Sequence, residues 1–89
     1  MSSFYGMNVE EVRQLASQMT QRSSEIRSLM NQLTSALQNT QWVGPDHDRF
    51  LNEWQSTYVA QLNQVANGLE EAANLATANA NAQEQASTM

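Results

Sequence analysis

The chain has 89 residues, no cysteine and a net charge of −5, from four arginines and no lysine against nine acidic residues. That length supports one small domain, and the missing cysteines exclude a disulfide framework, thiol catalysis and thiolate metal sites. The charge has the wrong sign for gripping phosphates or anionic headgroups, so neither nucleic acid binding nor charge-driven membrane binding is expected.

The opening residues, Met1-Ser2-Ser3-Phe4-Tyr5-Gly6-Met7, lack a basic region followed by an apolar run and a small-residue cleavage site. Residues 1–7 therefore read as a flexible N-terminus and not as a secretory leader. No uninterrupted apolar run approaches the ~20 residues that span a bilayer, and stable membrane insertion is not expected. The protein is expected to begin in the cytoplasm, and any export would use a route that does not read such a leader.

A first helix is predicted over about residues 9–39. Asn8 followed three residues later by Glu11 forms a capping box. In heptads with Val9 at a, the a line is Val9, Ala16, Ser23, Met30 and Leu37, and the d line is Val12, Met19, Ile26 and Leu33. Ser23 is the one polar break, read as a tolerated small residue in preference to a register device. Leu15, Leu29 and Ala36 on the neighbouring g line widen the stripe to about 120°, broader than a two-stranded seam needs. Glu10, Gln14, Gln18, Gln21, Gln32 and Ser35 make up an ordinary solvated face. At 1.5 Å per residue the helix is about 45 Å long.

Residues 40–44 then carry the turn, in which Trp42-Val43-Gly44 is followed by Pro45. Gly tolerates the backbone angles of a helix cap and Pro suits the first turn of a new helix. The indole of Trp42 is far larger than a tight turn requires, so it must pack against something or present itself to a partner. Asp46 and Asp48 fit the positive end of a helix dipole. With His47 between them they resemble a ligand triplet, but successive helical residues diverge by about 100°, and no metal or catalytic site is expected.

The second helix is predicted over about residues 45–76. Phe50, Trp54, Tyr58 and Leu62 recur at i, i+4, and Val65, Leu69, Ala72 and Ala76 continue the stripe, widened by Leu51, Val59, Ala66 and Ala73. Such a stripe at helical spacing reads as core, with its bulk near the turn and alanines at the far end. Gly68 costs the helix about 1 kcal/mol and reads as a close backbone approach or simple tolerance. Residues 77–89, low in complexity and without large apolar side chains until Met89, read as a disordered or frayed tail.

Residues 8–76 thus describe an all-α antiparallel two-helix hairpin. A hairpin shelters only one side of each stripe, and a second hairpin completing a four-helix bundle dimer is the simplest cover. The expected partner interface comprises Leu15, Met19, Ile26, Met30, Leu33, Phe50, Trp54, Tyr58, Leu62 and Leu69. Among catalytic residue types the chain offers one His, no Cys and no Lys, in no triad context, so an enzyme is not expected, nor is any cofactor.

Trp42-Val43-Gly44 at mid-chain between two long helices, followed by Pro45-Asp46 and then Phe50 and Trp54, resembles the W-x-G family of about a hundred residues. These are the early-secreted-antigen-like substrates of bacterial type VII (ESX) secretion systems. The resemblance covers residues 8–76. It implies a hairpin that pairs head to tail with itself or a sister W-x-G protein, leaves the cell folded without a cleaved signal peptide, and meets the secretion ATPase of the export machinery. Trp42 and Gly44 would be its turn and export motif. In many members a Tyr-x-x-x-Asp/Glu tail completes the export signal. Here the last tyrosine, Tyr58, lies inside the helix with Leu62 four residues on, which implies either a partner that carries the signal or a self-pairing branch without it. Self-pairing is the favoured expectation, because the seam carries no electrostatic code for a different partner. The alternative is an intracellular adaptor or chaperone that pairs with a larger toxin or enzyme.

Overall fold

The computed structural model describes residues 7–88. Helix α1 spans Val9–Asn39, and α2 (Pro45–Glu53) passes through a π-helical turn at Trp54–Tyr58 into α3 (Val59–Thr88). Glu53, Trp54 and Val59 all keep right-handed helical angles, so α2, the π-turn and α3 form one continuous second helix. The two long helices lie antiparallel in a rod of 66 × 17 × 15 Å with a radius of gyration of 19.7 Å. A compact chain of this length would have a radius of gyration of about 12 Å. The rod is two helices thick, and among the described residues Met30 is the one large apolar side chain it buries.

Local chemistry sets the ends of the helices. The Asn8 side chain accepts from the Glu11 amide at 3.1 Å, capping α1 as its sequence predicts. At the other end the chain leaves α1 in extended conformation at Thr40, whose hydroxyl donates to the Ala36 carbonyl at 2.6 Å. Gly44 caps α2 at φ 129°, a conformation that side-chain-bearing residues rarely adopt, and Pro45 occupies the first helical position.

The seam between the helices is built from small residues at heptad spacing. Ala16, Ser23 and Met30 of α1 and Ala66, Ala73 and Ala80 of α3 are its buried members. Ser23 is fully buried and donates to the Ala66 carbonyl across the seam at 2.9 Å. The hydroxyl does more than fill space, since it ties the two helices together at one register, and among the described residues no buried side-chain polar atom lacks a partner.

Two features of the second helix differ from its sequence pattern. Its innermost line is Val59, Ala66, Ala73 and Ala80, because the smallest side chains allow the closest approach; the first three only widen the stripe in the sequence pattern, and Ala80 lies beyond its expected end. Phe50, Trp54, Tyr58 and Leu62 flank that line. Three successive i, i+4 steps drift about 120° around an ordinary α-helix, and the wider π-turn absorbs part of that drift. The helix also runs to Thr88 instead of ending near Ala76, so residues 77–88 continue it instead of forming a disordered or frayed tail. Ala80 in the seam and the side chains of Asn81 and Glu84 tie this extension down. Residues 1–6, read as part of a flexible N-terminus, lie outside the described residues.

The two described glycines in the helical region should respond oppositely to alanine. Gly44→Ala meets no steric neighbour but forces a Cβ into the φ 129° conformation, at an expected cost of about 1–3 kcal/mol. Gly68→Ala sits in an α-helix with nothing within 4 Å of the added Cβ, and should add about 0.5–1 kcal/mol. Urea melts of the two variants check both signs.

Candidate functional site

The two edges of the hairpin differ in chemistry. On a helical wheel Arg13, Arg27 and Thr34 lie to one side of the α1 seam line, and Leu15, Ile26, Leu29 and Leu33 lie to the other.

The first edge is closed by polar clamps. Arg27 donates to Asn63 at 3.0 Å, to Asn67 at 2.6 Å and to Glu70 at 2.9 Å. Arg13 holds the Glu84 carboxylate with both terminal nitrogens, at 2.9 and 3.2 Å, and also donates to Asn81 at 2.8 Å. Nearer the turn the Trp54 indole donates to the Thr34 hydroxyl at 2.8 Å. The two Arg–Glu pairs share one antiparallel register: the step from Arg13 to Arg27 along α1 equals the step from Glu84 back to Glu70 along α3.

The second edge has no such clamp among the described residues. Leu29 is 56% exposed, Leu33 and Val65 are each 53% exposed, and Leu15, Phe50 and Tyr58 are also exposed. Ile26, Met19, Leu62 and Leu69 are half-buried behind them. Of the residues expected to meet a partner, Met30 alone lies buried inside the hairpin's own seam. Trp54 is half-buried and spends its indole N–H on the opposite edge. Near the turn the open edge deepens into an apolar groove of about 280 Å³ lined by Leu33, Ala36, Leu37, Thr40, Phe50 and Trp54.

Trp42 folds from the turn onto the first turns of α2. Its ring meets His47 edge-on at 5.3 Å between centroids and tilts against Phe50 at 5.7 Å. His47 points back toward α1, with Nε2 3.3 Å from the Leu37 carbonyl, so it satisfies one of the carbonyls left free at that helix end. The turn is thereby bracketed by side chains, while Val43 at its apex is 98% exposed.

Sequence reasoning missed the clamps. Their signal was present, in two arginines and two glutamates at equal separations on facing helices, but the antiparallel register was needed to read it. Among the described residues no cluster of His, Cys, Asp or Glu is placed to hold a metal ion, and no helix is long and apolar enough to cross a membrane.

Fold and site together define an antiparallel α-helical hairpin with one polar, sealed edge and one apolar, open edge. Comparison with protein-family models, curated proteins and solved structures returns no match.

Arg13 holds the Glu84 carboxyl below its ordinary value of 4.5, chiefly by hydrogen bonding and then by its charge. The folded-state value is depressed, so the clamp contributes fully above the ordinary value and is lost as pH falls through the lowered one. The melting-temperature gap between the native chain and Glu84→Gln should therefore close as pH drops from about 6 to about 3. A gap that persists at acid pH would show that charge on Glu84 is not what holds the clamp.

Proposed function

We propose that this protein is a small helical-hairpin substrate of a bacterial type VII (ESX-like) secretion system, exported as a folded head-to-tail dimer and acting as effector or export partner. The observation that carries the pairing is the inverted distribution of apolar bulk. The hairpin's buried apolar side chains, among the described residues, are four alanines and Met30, while leucines, a valine and aromatic rings stand exposed on one edge. Burying a Leu, Val or Phe fully contributes roughly 1.5–3 kcal/mol relative to exposure, so covering that edge is worth more than the alanine seam beneath it.

Shape favours the head-to-tail arrangement. The half of the open edge near the turn carries Leu29, Leu33, Phe50, Tyr58 and Val65, while the far half, with Leu15 and the half-buried Met19 and Leu69, is slimmer where α3 offers Ala72 and Ala76. Two copies related by a two-fold axis across the rod set bulky ends against slender ones, whereas parallel copies would crowd bulk against bulk. With polar clamps on the other edge, the described residues present one apolar edge per copy, which favours a closed pair over an open chain of molecules.

The export part of the reading rests on the Trp42-Val43-Gly44 turn at mid-chain, where Gly44 is needed for its φ and Trp42 packs on His47 and Phe50 of α2 while staying partly exposed. On this reading the protein pairs with itself or with a sister W-x-G protein and meets the secretion ATPase.

Sedimentation of the purified chain should give twice the chain mass. Leu29→Asp, on the open edge, should shift it to monomer, because pairing would bury an unpaired carboxylate. Leu75→Asp, at a residue 64% exposed on the opposite face of α3, should leave the pair intact. Equal responses of the two variants would contradict the assigned interface. In a cell that expresses the protein, removing the secretion ATPase should abolish its extracellular pool, and an unchanged pool would refute the export reading.

A further inference from the structure

We propose that the groove beside the turn is the seat for the Phe4-Tyr5 segment of a second copy of this chain. The inference deepens the head-to-tail pairing proposed above and rests on it. The groove is apolar, and its one polar lining side chain, Thr40, already donates its hydroxyl to the Ala36 carbonyl. At about 280 Å³ it lies just below the ~300–1,000 Å³ typical of ligand pockets, and its lining presents no charged group to orient a polar ligand. An aromatic side chain or two is the chemistry it fits.

The sequence supplies such side chains in one remaining place. Of the six aromatic residues, Trp42, Phe50, Trp54 and Tyr58 stand at the turn end, and Phe4 and Tyr5 precede the Asn8 cap at the opposite end of α1. Tyr5 lies four residues before Val9 and can reach at most roughly 14 Å beyond it. Leu33, the nearest groove residue along α1, is about 36 Å from Val9 at 1.5 Å per residue. A chain therefore cannot fill its own groove. In the head-to-tail pair the start of α1 in one copy comes alongside the turn end of the other, within that reach. The same symmetry fills both grooves and gathers four aromatic side chains of one copy and two of the other at each end of the rod.

The native chain has no cysteine, so a disulfide trap is clean. A Tyr5→Cys chain, lengthened by a tag, is mixed with an Ala36→Cys chain under mild oxidation, and the mixed pair is recognised by its mass. The proposal expects a disulfide between the two variants. It also expects Phe4→Ser with Tyr5→Ser to weaken self-association about tenfold or more at unchanged helicity. A pair of native affinity that neither cross-links nor responds to the serine variant would overturn the inference and leave the pairing standing. A chain that stays monomeric at every concentration would remove the pairing, and the inference with it.

Discussion

Close approach along a seam of small side chains is the constraint from which the rest of this hairpin follows. Ala16, Ser23, Ala66, Ala73 and Ala80 let the two helices come together, and Ser23 fixes their register with a hydrogen bond to the Ala66 carbonyl. Among the described residues, helices this close take in one large apolar side chain, the flexible Met30, and the leucines and aromatic rings lie along the edges. One edge is then filled with Arg–Glu and Arg–Asn contacts, while the other keeps the large apolar groups. The hairpin's asymmetry is thus a consequence of how thin its core is.

That asymmetry connects stability to the proposed function. A rod 17 × 15 Å in cross-section cannot bury much, and exposed ion pairs such as Arg22–Glu25 and Arg49–Asp46 add little. The clamps on the sealed edge set register, and docking an apolar surface there would desolvate Arg13, Arg27 and their carboxylates. The open edge has no comparable penalty. In the proposed pair, affinity and folding would be one quantity, with each copy supplying the second half of the other's core.

The sequence read clearly where periodicity and caps agree. Asn8 and Glu11 marked the start of α1, Gly44 and Pro45 marked the start of α2, and the heptad lines of α1 found the buried Ala16, Ser23 and Met30. The second helix was harder to read. Its aromatic run at i, i+4 drew attention to the bulkiest residues, but van der Waals contact between two backbones selects the smallest, so the true centre was Ala66 and Ala73. The π-turn at Trp54–Tyr58 was not separable from an α-helix by residue type. Residues 77–88 looked too polar and too small to hold, because their anchors are Ala80 and a bidentate contact from Arg13, whose partner lies at the other end of the sequence. The open edge was visible as excess stripe width, but which side it faced depended on the clamps, and those depended on register.

The head-to-tail pair is tested most directly by one inter-copy distance. A single spin label on Asn52, exposed near the turn, gives no signal between copies unless the chain pairs, and its dipolar separation then reports their relative direction. Head-to-tail pairing predicts labels separated by roughly the length of α1, on the order of 45 Å. Separations of under about 20 Å, two helix diameters, would place the turns side by side and contradict the arrangement, and the absence of any dipolar signal would show that the hairpin leaves its open edge uncovered by a second copy.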